Sequence, residues 1–138
     1  IFGYGTGYSN TTNLVSNVGV VGTDVTGVGS ARKGLDAAKY GTDKGIFAYG
    51  STGSVVSLSN LISNSGVVAA DTTGVGTARE TPGAAGYGGD KAIFAYGTTG
   101  TRVSMSNLVS NVGVVAADVS GVGTARDDLA AAGYSNSA

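Results

Sequence analysis

Short runs in which apolar side chains take turns with small or hydroxylated ones, each cut off by glycine, make up most of the chain. In the last third, residues 92–96 (Ala-Ile-Phe-Ala-Tyr) are one such run, ended by Gly97-Thr98-Thr99-Gly100. Residues 102–108 are the next: Val103 and Met105 alternate with Ser104 and Ser106 at the period of two expected of a half-buried strand. Residues 114–117 are a third, stopped by Asp118-Val119-Ser120-Gly121, an Asp-x-x-Gly turn that also occurs at Asp24 to Gly27 and Asp71 to Gly74. Residues 129–134 are the fourth, although the alanine-rich stretch from Asp128 to Ala132 is locally able to form a helical turn. Glycine at 25 of 138 positions argues against long helices, because each one costs about 1 kcal/mol relative to alanine inside a helix.

The runs recur. Ile1-Phe2-Gly3-Tyr4-Gly5 returns as Ile46-Phe47-Ala48-Tyr49-Gly50 and Ile93-Phe94-Ala95-Tyr96-Gly97. Asn13-Leu14-Val15-Ser16-Asn17 returns at Asn60 to Asn64 and Asn107 to Asn111, and a Gly-Val-Gly-(Ser/Thr)-Ala-Arg block ends at Arg32, Arg79 and Arg126. A fixed period of this size marks a repeat architecture, in which each unit needs a neighbour to cover its apolar face. The expectation is a single repeat domain over residues 1–138, with units of about 1–45, 46–92 and 93–138.

Four short strands per unit is the count of a propeller blade, so the expected fold is an all-β propeller built from four-stranded blades, three per chain. Ile46 and Ile93 each follow the preceding arginine, Arg32 and Arg79, by 14 residues. By that spacing the partner of the 129–134 run would begin at 140, beyond the last residue, while Ile1-Phe2-Gly3-Tyr4 lacks a preceding partner. Propellers generally have four to eight blades, which predicts a homodimer closed into one six-bladed ring by strand exchange. The competing geometry is a threefold β-trefoil or β-prism monomer.

Charge and composition narrow the function classes. Charged residues are only 12% and hydrophobic ones 41%, the balance of a chain that folds. A net charge of −1 supplies no basic stripe for phosphates, so no nucleic-acid partner is expected. No apolar run approaches the roughly 20 residues of a membrane helix, and no membrane insertion is expected. With neither histidine nor cysteine present, Ser-His-Asp and Cys-His catalysis, thiolate sites and histidine-based metal sites are excluded, and no cofactor is expected.

Carboxylate chemistry is what remains. Asp24, Asp71 and Asp118 recur once per unit and would ring a channel, yet each sits in an Asp-x-x-Gly where it is expected to cap its own turn. Arg32, Arg79 and Arg126 read as an ion pair or carbonyl clamp within each blade rather than an anion-binding ring. Asn13, Asn60 and Asn107 read as turn-closing amides before sugar-binding ones. Tyr4, Tyr49 and Tyr96 are expected to pack their rings and find partners for their hydroxyls. Asn10-Thr11-Thr12 fits a glycosylation sequon. Loops on a rigid scaffold usually hold recognition, which singles out Tyr8, Thr52 and Arg102, in the hairpin loop that varies among units.

The run from Ala125-Arg126 through Leu129 to Tyr134, joined in the inner repeats through Gly89-Asp90-Lys91-Ala92 to Ile93-Phe94-Ala95-Tyr96-Gly97, resembles the kelch pattern of an arginine, a small-residue strand, a turn and an apolar strand ending in glycine. One glycine stands where kelch has a pair, and the chain has no tryptophan. The repeated blocks are also similar to repeats of uncharacterised phage and environmental bacterial proteins, including fibre-like virion components. These resemblances imply a propeller and an extracellular or virion-associated setting, and they bring no catalytic residue. The leading expectation is therefore a non-catalytic structural, assembly or adhesion module that forms a homo-oligomer. The alternative is a multivalent carbohydrate-binding lectin, with a glycan as partner.

Overall fold

The computed structural model describes residues 1–134, and among them every regular element is a strand. Strands β1 (Phe2–Gly5) and β2 (Ser9–Asn13) pair antiparallel. Strands β3 (Asp36–Tyr40), β4 (Lys44–Ala48) and β5 (Ser59–Ile62) form a three-stranded meander, and β6 (Gly83–Tyr87), β7 (Lys91–Ala95) and β8 (Ser106–Val109) form its copy. The two meanders share one register: Asp36 to Tyr40 face Ala48 to Lys44, and Gly83 to Tyr87 face Ala95 to Lys91. The fold is all-β, three small antiparallel sheets, of which the second and third each straddle a boundary between sequence units: β3 and β6 come from the end of one unit and pair with strands of the next. The alanine-rich stretch at 128–132 is not helical.

A fourth run lies beside each sheet but is held by single bridges instead of a continuous ladder. Residues 68 and 72 bridge Ile62 and Ser59, residues 115 and 119 bridge Val109 and Ser106, and residues 21 and 25 bridge Val15 and Thr12. Within each pair of bridges the register slips by one residue, so that Ala70 and Asp71 together oppose Asn60. That two-against-one arrangement is a β-bulge. It explains why the expected strand at 114–117 is not a regular one. The expected strand at 102–108 is shortened to β8 for a related reason: Tyr96 (φ 64°) and Gly97 (φ 100°) turn the chain out of the extended path. Residues 102–105 are held instead by Val103 N–H donating to Gly97 O and Tyr96 N–H donating to Met105 O.

The sheets stack in chain order. Strand β3 lies against β6, where the Ala84 N–H donates to Asp36 Oδ2 at 2.7 Å. Ile46, Ala48, Tyr49, Ala84, Ala92, Phe94 and Val109 fill the core between the second and third sheets, while Phe47, Ile62 and Val68 meet Tyr4 and Leu35 at the first joint. Each joint repeats one aromatic contact, Tyr4 with Phe47 at 5.1 Å and Tyr49 with Phe94 at 5.5 Å. Glycine sets the approach at the first of these, because a Cβ on Gly3 would lie 3.0 Å from the Phe47 ring. Residues 129–133 continue the series without strand pairing: a Cβ on Gly83 would meet Leu129 at 3.0 Å.

Phe94 is fully buried where the second and third sheets meet. Replacing it, Phe94→Ala, is expected to cost about 3–5 kcal/mol. Urea unfolding followed by circular dichroism measures this, and a loss below about 1 kcal/mol would contradict the stacked-sheet core.

Candidate functional site

The conspicuous polar chemistry lies at the joints between sheets, where an arginine, a tyrosine, an asparagine and an aspartate recur together. At the bulge opposite Asn60, the amide side chain replaces the missing ladder contacts: Nδ2 donates to Ala69 O at 3.0 Å and to Asp71 Oδ1 at 2.9 Å. The bulge turns Asp71 toward the preceding unit, where its Oδ2 accepts from the Ser30 N–H at 2.9 Å and the Ser30 hydroxyl at 2.7 Å. Arg32 follows two residues later, fully buried, and donates from one terminal nitrogen to Asn60 Oδ1. Its other terminal nitrogen is 3.8 Å from Asp71, and its guanidinium carbon lies 5.0 Å from the Tyr4 ring centroid. Gly29 (φ 77°) admits this approach, since a Cβ there would collide with Asp71 and Asn60.

The second joint repeats the scheme. Asn107 Nδ2 donates to Ala116 O and to Asp118 Oδ1, both at 2.9 Å, and Asp118 Oδ2 accepts from the Thr77 N–H at 3.0 Å. Arg79 is fully buried with its guanidinium carbon 4.0 Å from the Tyr49 ring centroid. Here the arginine turns to backbone, donating to Phe94 O at 3.3 Å and Thr77 O at 3.2 Å, and Asn107 Oδ1 keeps no partner. The tyrosine is fixed by backbone as well as by the cation. Tyr4, Tyr49 and Tyr96 all sit at φ of 64–67°, and their hydroxyls donate to the carbonyls of Val28, Val75 and Val122. A bulky residue at positive φ costs on the order of 1–2 kcal/mol, which the ring, cation and hydroxyl contacts offset.

The electrostatics follow from partial burial. Burial opposes ionisation of Asp71, but the hydrogen bonds from Ser30 and Asn60 and the nearby Arg32 outweigh it and hold the carboxyl below its usual value. Asp118 is lowered in the same way, against burial, by Thr77, Asn107 and Arg79. Burial pulls the Arg32 guanidinium down, with Tyr4 and Asp71 opposing, and it pushes the Tyr4 and Tyr49 hydroxyls up. Asp36 moves the other way from Asp71: burial raises it despite the N–H groups of Ala37 and Ala84.

Two readings of the residues are corrected by this geometry. Asp71 and Asp118 do not cap their own turns; their donors are Ser30 and Thr77 of the preceding unit and the asparagine across the bulge. Arg32 does not act within one blade but spans two sheets, because the bulge carries its acceptor across the joint. Asn60 and Asn107 are fully buried, which removes them from contact with a sugar. The tyrosine hydroxyls do find carbonyl partners, as expected.

The loop residues lie elsewhere. Tyr8 is exposed with Lys33 Nζ 5.2 Å from its ring centroid, Thr52 donates its N–H to Ser54 O, and Arg102 Nε is 2.5 Å from Asp127 Oδ1. Each is engaged with its own neighbourhood, and the three do not form one cluster with the joint residues. A separate cleft of about 510 Å³ has Asp43, Lys44, Ile62, Ser63 and Asn64 among its lining. Among the described residues no group of three or more Asp or Glu side chains is arranged to hold a metal ion. The joint constellation was missed from sequence because its partners lie 28 to 41 positions apart. The available signal was their shared period: Arg, Asn and Asp all recur at the same spacing. No family model matches the chain, and a comparison with curated proteins gives no match.

Removing one member of a buried charged set strands the others, so Arg32→Ala is expected to cost about 3–5 kcal/mol, while Arg126→Ala, at an exposed position, costs the single chain about 1 kcal/mol or less. Chemical denaturation of both variants below the micromolar range checks the contrast, and equal losses would contradict it. For pH the sign follows from the lowered carboxyls. Stabilisation by Asp71 and Asp118 is complete above an unfolded carboxyl value of about 4 and is lost as pH falls through their lower folded values. Melting temperatures recorded from pH 7 down to pH 2 should therefore fall at the acid end, and Asp71→Asn should flatten that fall.

Proposed function

We propose that the chain is a non-catalytic structural and assembly module, a kelch-like propeller half that closes with a second copy into a six-bladed ring. One observation carries this reading. Strand β1 occupies in its sheet the place that β4 and β7 hold in theirs, yet among the described residues its edge has no counterpart to β3 or β6. At the opposite end, residues 129–133 stack on β6 as β6 stacks on β3, and among the described residues no strand pairs with them. By the β6–β7 register, residues 130, 131 and 132 of one copy would face Gly3, Phe2 and Ile1 of another. Pairing there satisfies both open edges.

The rest of the chain supports an assembly role. At the two internal joints the recurring asparagine and aspartate are bonded to each other and each arginine lies over a tyrosine ring, and four-run units stacked in series favour blades over a threefold trefoil or prism. The likeness of the repeated blocks to fibre-like virion repeats supports reading such a module as extracellular or virion-borne, where a ring of near-identical blades would serve as a rigid element. A second reading, saccharide binding, draws on the cleft lined by the polar Asp43, Lys44, Ser63 and Asn64 together with the apolar Leu14, Val15 and Ile62, a mixture suited to a sugar ring.

Light scattering at micromolar concentration should return twice the chain mass of 13.4 kDa, and deletion of Ile1 to Gly5 should return a single chain. A single-chain mass for the intact protein would overturn ring closure and leave a self-contained threefold domain. On a glycan array the assembly reading expects no signal at millimolar equivalents; saturable binding lost in Asn64→Ala would instead establish the lectin.

A further inference from the structure

Both internal joints set a buried arginine over a tyrosine ring beside a bonded asparagine–aspartate pair of the following unit, the arginine donating to that asparagine at the first joint and to backbone carbonyls at the second, and the chain displays the two halves of a third. At the C-terminal end, Tyr96 keeps its positive φ and its bond to Val122 O, and Arg126 lies with its guanidinium carbon 3.9 Å from the ring centroid. Arg126 is nevertheless exposed, whereas Arg32 and Arg79 are fully buried. Among the described residues its hydrogen bond goes only to Thr124 O, two positions back. Gly29 and Gly76 press against the asparagine and aspartate of the following unit, but Gly123, at the equivalent position, has only the Tyr96 hydroxyl within 4 Å.

The complementary half is at the N-terminal end. Asn13 Nδ2 donates to Gly22 O and to Asp24 Oδ1, the same bulge chemistry as Asn60 and Asn107, but among the described residues no arginine bonds to either residue. The apolar face beside it is uncovered as well. Phe2 is 62% exposed against 4% for Phe47 and 0% for Phe94, and Val21 is 53% exposed against 8% for Val68. In each internal joint the phenylalanine of the later unit meets the tyrosine of the earlier one. A cation with its ring at one end and a carboxylate, an amide and a free phenylalanine at the other are complementary in charge, shape and order.

We propose that the occupant of each end is a second copy of this chain, and that the joint is a rebuilt version of the internal ones. Arg126 of one copy engages Asn13 and Asp24 of the next, Asp24 accepts from the Thr124 N–H and hydroxyl, and Phe2 packs on Tyr96. The contact is heterologous, head to tail, so two copies form a closed ring only when both such joints are made. This inference rests on the self-assembly reading above and adds the side chains that decide which surfaces meet.

Charge reversal at either end tests it. Arg126→Glu sets a carboxylate against Asp24, and Asp24→Arg sets a cation against Arg126, so each variant alone has two repelling joints and should dissociate at least about 30-fold more readily than the unaltered protein. Mixed together, the two variants form a heterodimer with one unaltered joint and one charge-reversed but complementary joint, and sedimentation or light scattering should show the dimer restored. Restoration also reports that both variants are folded. Phe2→Ser, which alters no charge, should weaken association by itself. If both reversals dimerise as the unaltered protein does, or if folded variants fail to rescue one another, the side-chain assignment is overturned while self-assembly stands. A single-chain mass for the unaltered protein overturns both.

Discussion

A guanidinium buried at the seam between two sheets is the contact on which this architecture turns. Small antiparallel sheets of two or three strands bury little apolar area each, and stacked in series they need something that specifies spacing and order. Arg32 does so by reaching from the end of one unit into the asparagine and aspartate of the next while the tyrosine of its own unit flanks it. A fully buried arginine tolerates few alternative arrangements, because any that leaves it unpaired is costly. The aromatic contact at each joint supplies attraction without direction; the polar set supplies register.

Local backbone irregularities serve that contact. The bulge at 70–71 places two residues opposite Asn60 and aims Asp71 across the joint, and the asparagine amide fills the gap this opens in the ladder. The left-handed tyrosines bend the chain at the end of β4 and β7 so that the ring faces the arginine and the hydroxyl reaches a valine carbonyl. Gly29 and Gly76 clear the approach. Taken singly, each is a departure from regular strand geometry; together they set an arginine over a tyrosine ring beside a bonded asparagine and aspartate at both joints, with the arginine donating to the asparagine at the first and to backbone carbonyls at the second.

Repetition also makes the two ends informative. In an array whose units touch only their neighbours, interior units show what a satisfied unit looks like, and the outer units can be compared with them residue by residue. Phe2 against Phe47 and Arg126 against Arg32 differ in surroundings, not in chemistry.

Much of the fold was legible from periodicity. The all-β class and the strand at residues 92–96 to within one position follow from glycine, β-branched residues and recurrence, which act locally. The joints were not legible, because a hydrogen bond between Ser30 and Asp71 spans 41 positions and depends on a one-residue bulge that no local propensity announces. Nor could the sequence separate a buried asparagine from a sugar-facing one, since both favour turns and polar neighbours. Sequence alone determined how many units there are and what each is made of. Only tertiary structure decided which face of each unit meets the next, because that choice belongs to a charge whose partners come together when the sheets stack.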